Sequence, residues 1–177
     1  MITPAKPRVG IIMGSASDLD IMSAAAAVFD SFDIPYEVRI ISAHRTADTM
    51  TTYAATAQAR GLQIIIAGAG GSAHLPGMTA SHTLLPVIAV PVKRDNHDHE
   101  ALWSNIKMPP GIPLATMPEN GANNAALMAV EILALNDKQL AKKYQAFRET
   151  LHQSVIAADE ELQSTGWKTY LKRSKPS

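Results

Sequence analysis

The chain has no cysteine, only 5% aromatic residues, a formal net charge of +0 and no long apolar run. Without cysteine, a disulfide framework, a thiolate nucleophile and a cysteine metal site are excluded. The charges balance and no basic stripe lies among the aromatic side chains, so the charge pattern typical of a nucleic-acid-binding protein is not present. No segment reaches the roughly 18 apolar residues of a membrane span, and the first residues lack the apolar core of a signal peptide. These absences predict a soluble cytoplasmic protein that binds neither nucleic acid nor membrane.

Strand and helix patterns alternate along the 177 residues, of which 46% are hydrophobic, enough for one compact domain. The predicted strands are 8–13, 36–41, 62–67, 85–90 and 112–116. The predicted helices are 18–32, 46–60, 98–106 and 122–135, together with a short helix that Pro76 and Gly77 delay. This alternation predicts an α/β protein with a doubly wound parallel sheet.

The C-terminal part shows a long helical pattern over 137–163 with no strand after it, and then a polar tail over 164–177. Its apolar positions recur every three or four residues, at Leu140, Tyr144, Phe147, Leu151 and Val155. Such a stripe favours packing on a neighbouring subunit, with packing on its own domain as the alternative. We predict a single catalytic domain over 1–163 that includes this helix.

The first of three polar strings, Met13-Gly-Ser-Ala-Ser-Asp18, lies where a strand gives way to a helix. Free backbone amides, the positive end of a helix dipole and the hydroxyls of Ser15 and Ser17 favour phosphate there. Asp18 suits a helix cap and accepts hydrogen bonds from ribose hydroxyls as well. The alternative is that Ser17 and Asp18 are only helix caps.

The second string, Ser42-Ala-His-Arg45, follows the second strand. Arg45 offers a planar donor fork for phosphate or carboxylate, and His44 is able to take and return a proton near neutral pH. The carboxyl ends of parallel strands meet at one edge of a sheet, so this pair is expected beside the phosphate site. The alternative is an ordinary surface histidine.

The third string, Ala67-Gly-Ala-Gly-Gly-Ser-Ala-His-Leu-Pro-Gly77, follows the third strand. Gly68, Gly70 and Gly71 allow the backbone to approach a flat ligand, and their amides suit a carboxylate or carbon dioxide. His74 either donates to the ligand or fixes the loop by bonding its backbone.

A dinucleotide site is the rival interpretation of this third string. Its glycines satisfy a loose dinucleotide motif, and Lys93 and Arg94 after the next strand would suit a 2′-phosphate. Pro76 and Gly77 disfavour it, since they are expected to break the helix that should begin at the glycines.

In order and spacing, the three strings resemble the class I N5-carboxyaminoimidazole ribonucleotide mutases of purine biosynthesis, the PurE family. The resemblance covers 8–92 and resumes at Met108-Pro-Pro-Gly-Ile-Pro113 and Asn124-Ala-Ala-Leu127. It implies a flavodoxin-like three-layer αβα sandwich whose C-terminal helix packs in an oligomer, with octamers that share active sites. It also implies a small ribonucleotide as substrate, with no metal, ATP or nicotinamide as cofactor.

Carried over by position, the resemblance implies that His44 is the general acid/base of the reaction. The residues that would hold the ribonucleotide are Ser15, Ser17, Asp18, Ser42 and Arg45. Those that would lie under or beside the migrating carboxylate are Gly70, Gly71, Ser72, Ala73, His74 and Leu75. The implied reaction moves a carboxylate from the exocyclic nitrogen to ring carbon four of an aminoimidazole ribonucleotide, through decarboxylation and recarboxylation.

Two loops, 93–107 and 117–123, depart from the family pattern. Two alternatives therefore stand: a PurE-like relative that carboxylates or decarboxylates another heterocyclic ribonucleotide, and a non-enzymatic nucleotide-binding module. The run His97-Asp98-His99-Glu100 contains zinc-ligand types, but adjacent loop residues point in different directions, so we predict no metal.

Overall fold

The computed structural model describes residues 6–94 and 99–174. His97 and Asp98 of the histidine-rich run lie outside the described residues. The chain forms two compact units, Met1–Leu133 and Ala134–Ser177. The single catalytic domain over 1–163 stays a prediction.

The first unit contains a five-stranded sheet in the order β2-β1-β3-β4-β5, in which every pair is parallel. The strands are β1 (Val9–Met13), β2 (Tyr36–Ile40), β3 (Ile64–Gly70), β4 (Val87–Val92) and β5 (Ala115–Thr116). The chain passes from β1 outward to β2 and then returns to β3 on the other side of β1. The point where the strand order reverses is the usual ligand position in such sheets, and it lies at the carboxyl ends of β1 and β3.

The central strands are apolar because both faces of the sheet are covered. β1 and β4 are buried along their whole length, and β3 is buried up to its last residue. β5 is shorter than the predicted strand over 112–116, since Pro113 has no N–H to donate to a neighbouring strand.

Five α-helices of this unit are α1 (Leu19–Phe32), α2 (Ala47–Thr56), α3 (His74–Ser81), α4 (Glu100–Ile106) and α5 (Ala122–Ala134). On one face of the sheet, Ile65 belongs to an apolar cluster with Tyr53 of α2, Leu75 of α3 and Ala101 of α4. On the other face, Met22 of α1 fills the space beside the backbone of β3. The three-layer, flavodoxin-like α/β sandwich is confirmed.

Helix α3 begins earlier than predicted. Pro76 is its third residue, where the backbone N–H has no acceptor within the helix, so proline is tolerated. The prediction that Pro76 and Gly77 delay this helix is wrong. One reason for disfavouring a dinucleotide site therefore falls away.

The second unit contains α6 (Lys138–Thr165) and α7 (Trp167–Ser174), with Gly166 between them at a φ of 75°. Within the predicted polar tail over 164–177, α6 ends at Thr165 and α7 covers Trp167–Ser174, so much of this polar segment is helical. On the predicted stripe of α6, Leu140 is buried whereas Leu151 and Val155 are exposed. Across the described ranges, no helix combines the length and the apolar character that a bilayer crossing requires.

Candidate functional site

The three polar strings meet in one cavity of about 510 Å³ at the carboxyl ends of β1, β2 and β3. The lining residues are Gly14, Ser15, Asp18, Ser42, Ala43, His44, Arg45, Ala69, Gly70, Ser72, Ala73, His74 and Leu75. Of the candidate site residues, Ser17 and Gly71 are not in the lining. The sheet topology therefore brings together side chains that are distant in sequence.

The first string folds back on itself as a capped 3-10 turn over Ala16–Asp18. The Ser15 hydroxyl accepts from the Ser17 amide at 3.3 Å and from the Ser17 hydroxyl at 3.0 Å. The Ser15 amide donates to Asp18 Oδ2 at 3.1 Å, and Asp18 is only 5% exposed. The capping role is present, and it places the Ser15 hydroxyl and the Asp18 carboxylate at the cavity, with Ser17 bonded behind Ser15.

The second string is held in shape by local hydrogen bonds. The Ser42 hydroxyl accepts from the Arg45 amide at 3.1 Å, and Thr46 Oγ1 accepts from the Ser42 amide at 2.9 Å. Arg45 Nη2 donates to the Gly14 carbonyl at 3.2 Å, which ties the second string to the first. Among the described residues, the rest of the Arg45 guanidinium has no partner, which leaves donors for an anionic ligand.

The two histidines of the cavity contact each other. His44 Nε2 lies 2.9 Å from His74 Nδ1, and the rings meet edge to face at 87° with centroids 5.0 Å apart. One ring must donate the shared hydrogen and the other must accept it. His74 thus bonds the ring of His44 rather than the loop backbone, and no sequence signal links residues 30 positions apart.

The third string forms a floor whose shape depends on the backbone. Gly71 and Ala73 have φ angles of 58° and 41°, in the left-handed region. A Cβ on Gly70 would lie 3.0 Å from the Val92 carbonyl oxygen, so the close approach of β4 favours glycine there. The sequence analysis explained Gly70 by the approach of a ligand, and the structure adds that packing against β4 also requires glycine there.

Helix α4, inside the first departing loop, supports this floor. The Ser72 hydroxyl donates to Glu100 Oε1 at 2.8 Å, and the Ser104 hydroxyl donates to the Ser72 carbonyl at 2.6 Å. Sequence reasoning missed Glu100 and Ser104 as contacts of the site, because their polarity is ordinary for a helix surface.

The two departing loops are bound to each other. Asn120 pairs with both backbone groups of Lys93, accepting from its amide at 2.8 Å and donating to its carbonyl at 3.3 Å. Glu119 Oε2 lies 2.8 Å from His99 Nδ1 and 3.4 Å from Lys93 Nζ. Desolvation alone would raise the pKa of Glu119, but His99 and Lys93 outweigh it and lower that pKa. Within 6–94 and 99–174, no group of three or more histidine, aspartate or glutamate side chains is placed to hold a metal ion.

A cavity with paired histidines, arginine and glycine amides at the strand-order reversal of a parallel sheet defines a class of α/β proteins that bind small anionic molecules. The sequence pattern of the AIR carboxylase family matches residues 8–154, and this chain belongs to that family.

Individual relatives agree with this assignment. The N5-carboxyaminoimidazole ribonucleotide mutase of a Synechocystis species is 52% identical, over 96% of this chain and 97% of the relative. The enzyme of the same name from Thermotoga maritima is 47% identical, over 96% of this chain and 99% of the relative. The crystal structure of Treponema denticola PurE superposes with a TM-score of 0.81 at 34% identity, covering 88% of this chain and 98% of that one.

Proposed function

We propose that this chain is an N5-carboxyaminoimidazole ribonucleotide mutase of purine biosynthesis. It moves a carboxylate from the exocyclic nitrogen to ring carbon four of the aminoimidazole ribonucleotide. Nearly full-length relatives of this name support the reaction. The observation that carries it is the His44–His74 contact, in a cavity that also holds Arg45 and the glycine-lined floor.

The ribonucleotide binds across the three strings. The hydroxyls of Ser15 and Ser42 and the open donors of Arg45 take the phosphate, because each offers hydrogen bonds to an anion. The Ser17 hydroxyl donates to Ser15 and must turn away from it to become a further phosphate contact. Asp18 accepts from the ribose hydroxyls, a contact that a carboxylate makes with neutral groups but not with phosphate. These roles rest on the proximity of the side chains in the cavity and on the family resemblance.

The imidazole ring lies over the floor formed by Gly70, Ser72, Ala73 and Leu75, and Gly71 shapes this floor through its left-handed backbone. His44 as imidazolium protonates the exocyclic nitrogen while the N–C bond breaks and carbon dioxide forms. The electron pair of ring carbon four then attacks the trapped carbon dioxide, making the new C–C bond. Neutral His44 removes the proton from that carbon, which restores the aromatic ring and returns His44 to its starting state. One titrating residue suffices because the reaction is an isomerisation with no net proton change.

His74 orients this proton carrier. Its Nδ1 lies 2.9 Å from His44 Nε2. When His44 holds the proton at that nitrogen, His74 accepts it in a hydrogen bond. This contact fixes the His44 ring while substrate enters.

Retention of carbon dioxide requires that water be kept from the site. Both histidines are exposed in the single chain, so a further surface must cover them. We propose that the cover comes from assembly into an octamer with shared sites, the arrangement that the family resemblance implies. Each unit has exposed apolar side chains that such an assembly would bury, Ile40 of edge strand β2 at 55% in the first and Val155 of α6 at 69% in the second. The cytoplasmic location remains a prediction from the sequence.

The decisive experiment follows conversion of N5-carboxyaminoimidazole ribonucleotide to its carbon-carboxylated isomer, comparing the unmodified protein with His44→Gln. Glutamine places an amide near the position of Nε2, so the contact to His74 is kept while proton transfer is lost. We expect kcat to fall by about 10²- to 10⁴-fold, the usual contribution of a general acid/base.

Other outcomes separate the alternatives. Full activity of His44→Gln would contradict the acid/base role. If the unmodified protein does not turn over this substrate but carboxylates or decarboxylates another heterocyclic ribonucleotide, and His44→Gln loses that activity, the related enzyme is favoured. If the ribonucleotide binds equally well to both proteins and neither shows any such activity, the nucleotide-binding module is favoured.

A further inference from the structure

An arginine outside the predicted site reaches into the first polar string. Arg94 follows β4, and its Nη2 donates to the Ser17 carbonyl and lies 3.3 Å from Asp18 Oδ1 and 3.4 Å from Asp20 Oδ1. We propose that Arg94 is a positioning residue of the mutase, which holds the Asp18 carboxylate in its binding orientation and offsets the negative charge beside the phosphate subsite. This inference rests on the proposed function.

The Asp18 carboxylate is held from two sides. Its Oδ2 accepts from the Ser15 amide at 3.1 Å, and its Oδ1 faces Arg94. Without Arg94 one oxygen would keep its backbone partner, while the other would lose its only cationic partner among the described residues. A carboxylate that must accept from ribose hydroxyls in one geometry gains from both restraints.

Charge gives the second reason for this role. Asp18 accepts from the Ser15 amide in the string where the proposed substrate carries a phosphate, and Asp20, two residues on, contacts the same arginine as Asp18. Like charges in proximity disfavour binding, and a guanidinium between the two carboxylates offsets them. Arg45, on the other side of the string, contacts Gly14, so the string lies between two arginines.

The backbone that carries Arg94 is itself anchored. Asn120 bonds both the amide and the carbonyl of Lys93, the residue before Arg94, and Glu119 pairs with the Lys93 side chain. Asn120 has a φ of 58°, a conformation that asparagine tolerates well. The two loops that depart from the family pattern thus combine to direct one side chain at Asp18.

The first test measures KM and kcat for N5-carboxyaminoimidazole ribonucleotide in three proteins: the unmodified 177-residue chain, Arg94→Gln and the matched control Arg8→Gln. Arg8 lies at the amino end of β1, whereas the cavity lies at the carboxyl ends of the strands, and Arg8 donates to Gln63. Arg8→Gln therefore removes one positive charge far from the site. We expect KM to rise about tenfold in Arg94→Gln, in line with the loss of a hydrogen bond to a charged group, with kcat changed by less than about threefold. Arg94→Lys keeps the positive charge but not the two-pronged guanidinium donor, so its KM is expected to lie between those of the unmodified protein and Arg94→Gln. An unchanged KM in Arg94→Gln, or an equal rise in Arg8→Gln, would overturn the inference.

A double-mutant cycle tests whether Arg94 acts through Asp18. In an Asp18→Asn background, Arg94→Gln is expected to add less than about twofold to KM, and a full additional tenfold effect would refute the positioning role. Asn120→Gly removes the anchor of Lys93 without straining the left-handed backbone, and should raise KM in the same direction as Arg94→Gln. A thermal melting temperature within a degree or two of the unmodified protein would exclude a general loss of folding in each variant.

Binding separates this inference from the mutase assignment. The dissociation constant of 5-aminoimidazole ribonucleotide, measured by calorimetry, does not depend on turnover. If the unmodified protein binds this ribonucleotide but shows no mutase activity, the proposed reaction fails, and a tenfold weaker binding by Arg94→Gln still supports the Arg94 role. Equal binding by the two proteins would reject that role whatever the reaction.

Discussion

The contact between His44 and His74 makes a quantitative prediction about catalysis. His74→Phe removes the ring nitrogen while keeping a flat side chain, and His74→Asn keeps a hydrogen-bonding atom close to the position of Nδ1 but does not titrate. If His74 orients His44 through this one contact, the two variants must differ. Because both residues are exposed, neither substitution is expected to unfold the protein.

The size of the effect follows from the geometry. A single hydrogen bond between two side chains, here at 2.9 Å, contributes about 0.5 to 1.5 kcal/mol. Its loss in His74→Phe should therefore lower kcat by about 2- to 12-fold, since 1.4 kcal/mol is a factor of ten. His74→Asn should stay within about threefold of the unmodified protein, because the amide restores the contact. Both effects are far smaller than that of His44→Gln, which removes the proton carrier.

Steady-state kinetics with N5-carboxyaminoimidazole ribonucleotide measures these values. The pH dependence of kcat adds a second readout, since an orienting residue should leave the profile of His44 in place, whereas a residue that carries the proton should change its shape. A loss in His74→Asn as large as in His44→Gln would refute the orienting role and make His74 a proton carrier. An unchanged kcat in His74→Phe would mean that the contact has no catalytic effect.

Three further predictions concern the core and the assembly. Gly10→Ala should lower the free energy of unfolding in urea by about 1 to 3 kcal/mol, because the new Cβ would overlap the buried Tyr53 hydroxyl. Adding Tyr53→Phe should recover part of that loss, and no recovery would contradict the packing explanation. Burial, with a smaller effect of Glu37, raises the pKa of Tyr53, so this tyrosine ionises at lower pH in the unfolded chain than in the folded one. The neutral Tyr53 therefore contributes fully to the free energy of unfolding below the ordinary tyrosine pKa near 10, and this contribution is lost as pH rises above that value. Urea unfolding at alkaline pH should show a smaller loss of stability for Tyr53→Phe than for the unmodified protein. Light scattering should find an octamer for the unmodified chain and smaller species for Val155→Glu, whereas a fully active monomer would contradict the proposed cover of the site.

The sequence predicted the alternation of elements well, because the buried residues of a parallel strand such as β3 form a continuous apolar run over 64–67. The strand continues through Gly68 to Gly70, beyond the predicted end at 67. The sequence prediction was wrong for the start of α3. Pro76 was expected to delay α3, but a proline in the first helical turn removes no hydrogen bond. The polar composition of 164–177 suggested a tail, and composition alone does not show that Trp167–Ser174 form a helix.

For the site, the sequence by itself determined which candidate residues lie together in one cavity. His44, Arg45, Ser15 and Asp18 follow strands, and parallel strands end at one edge, so their meeting followed from topology. Only the tertiary structure decided which of them touch. The His44–His74 contact and the approach of Arg94 to Asp18 join residues 30 and 76 positions apart. Such pairings depend on rotamers and loop paths that packing sets, and a linear pattern contains no record of them.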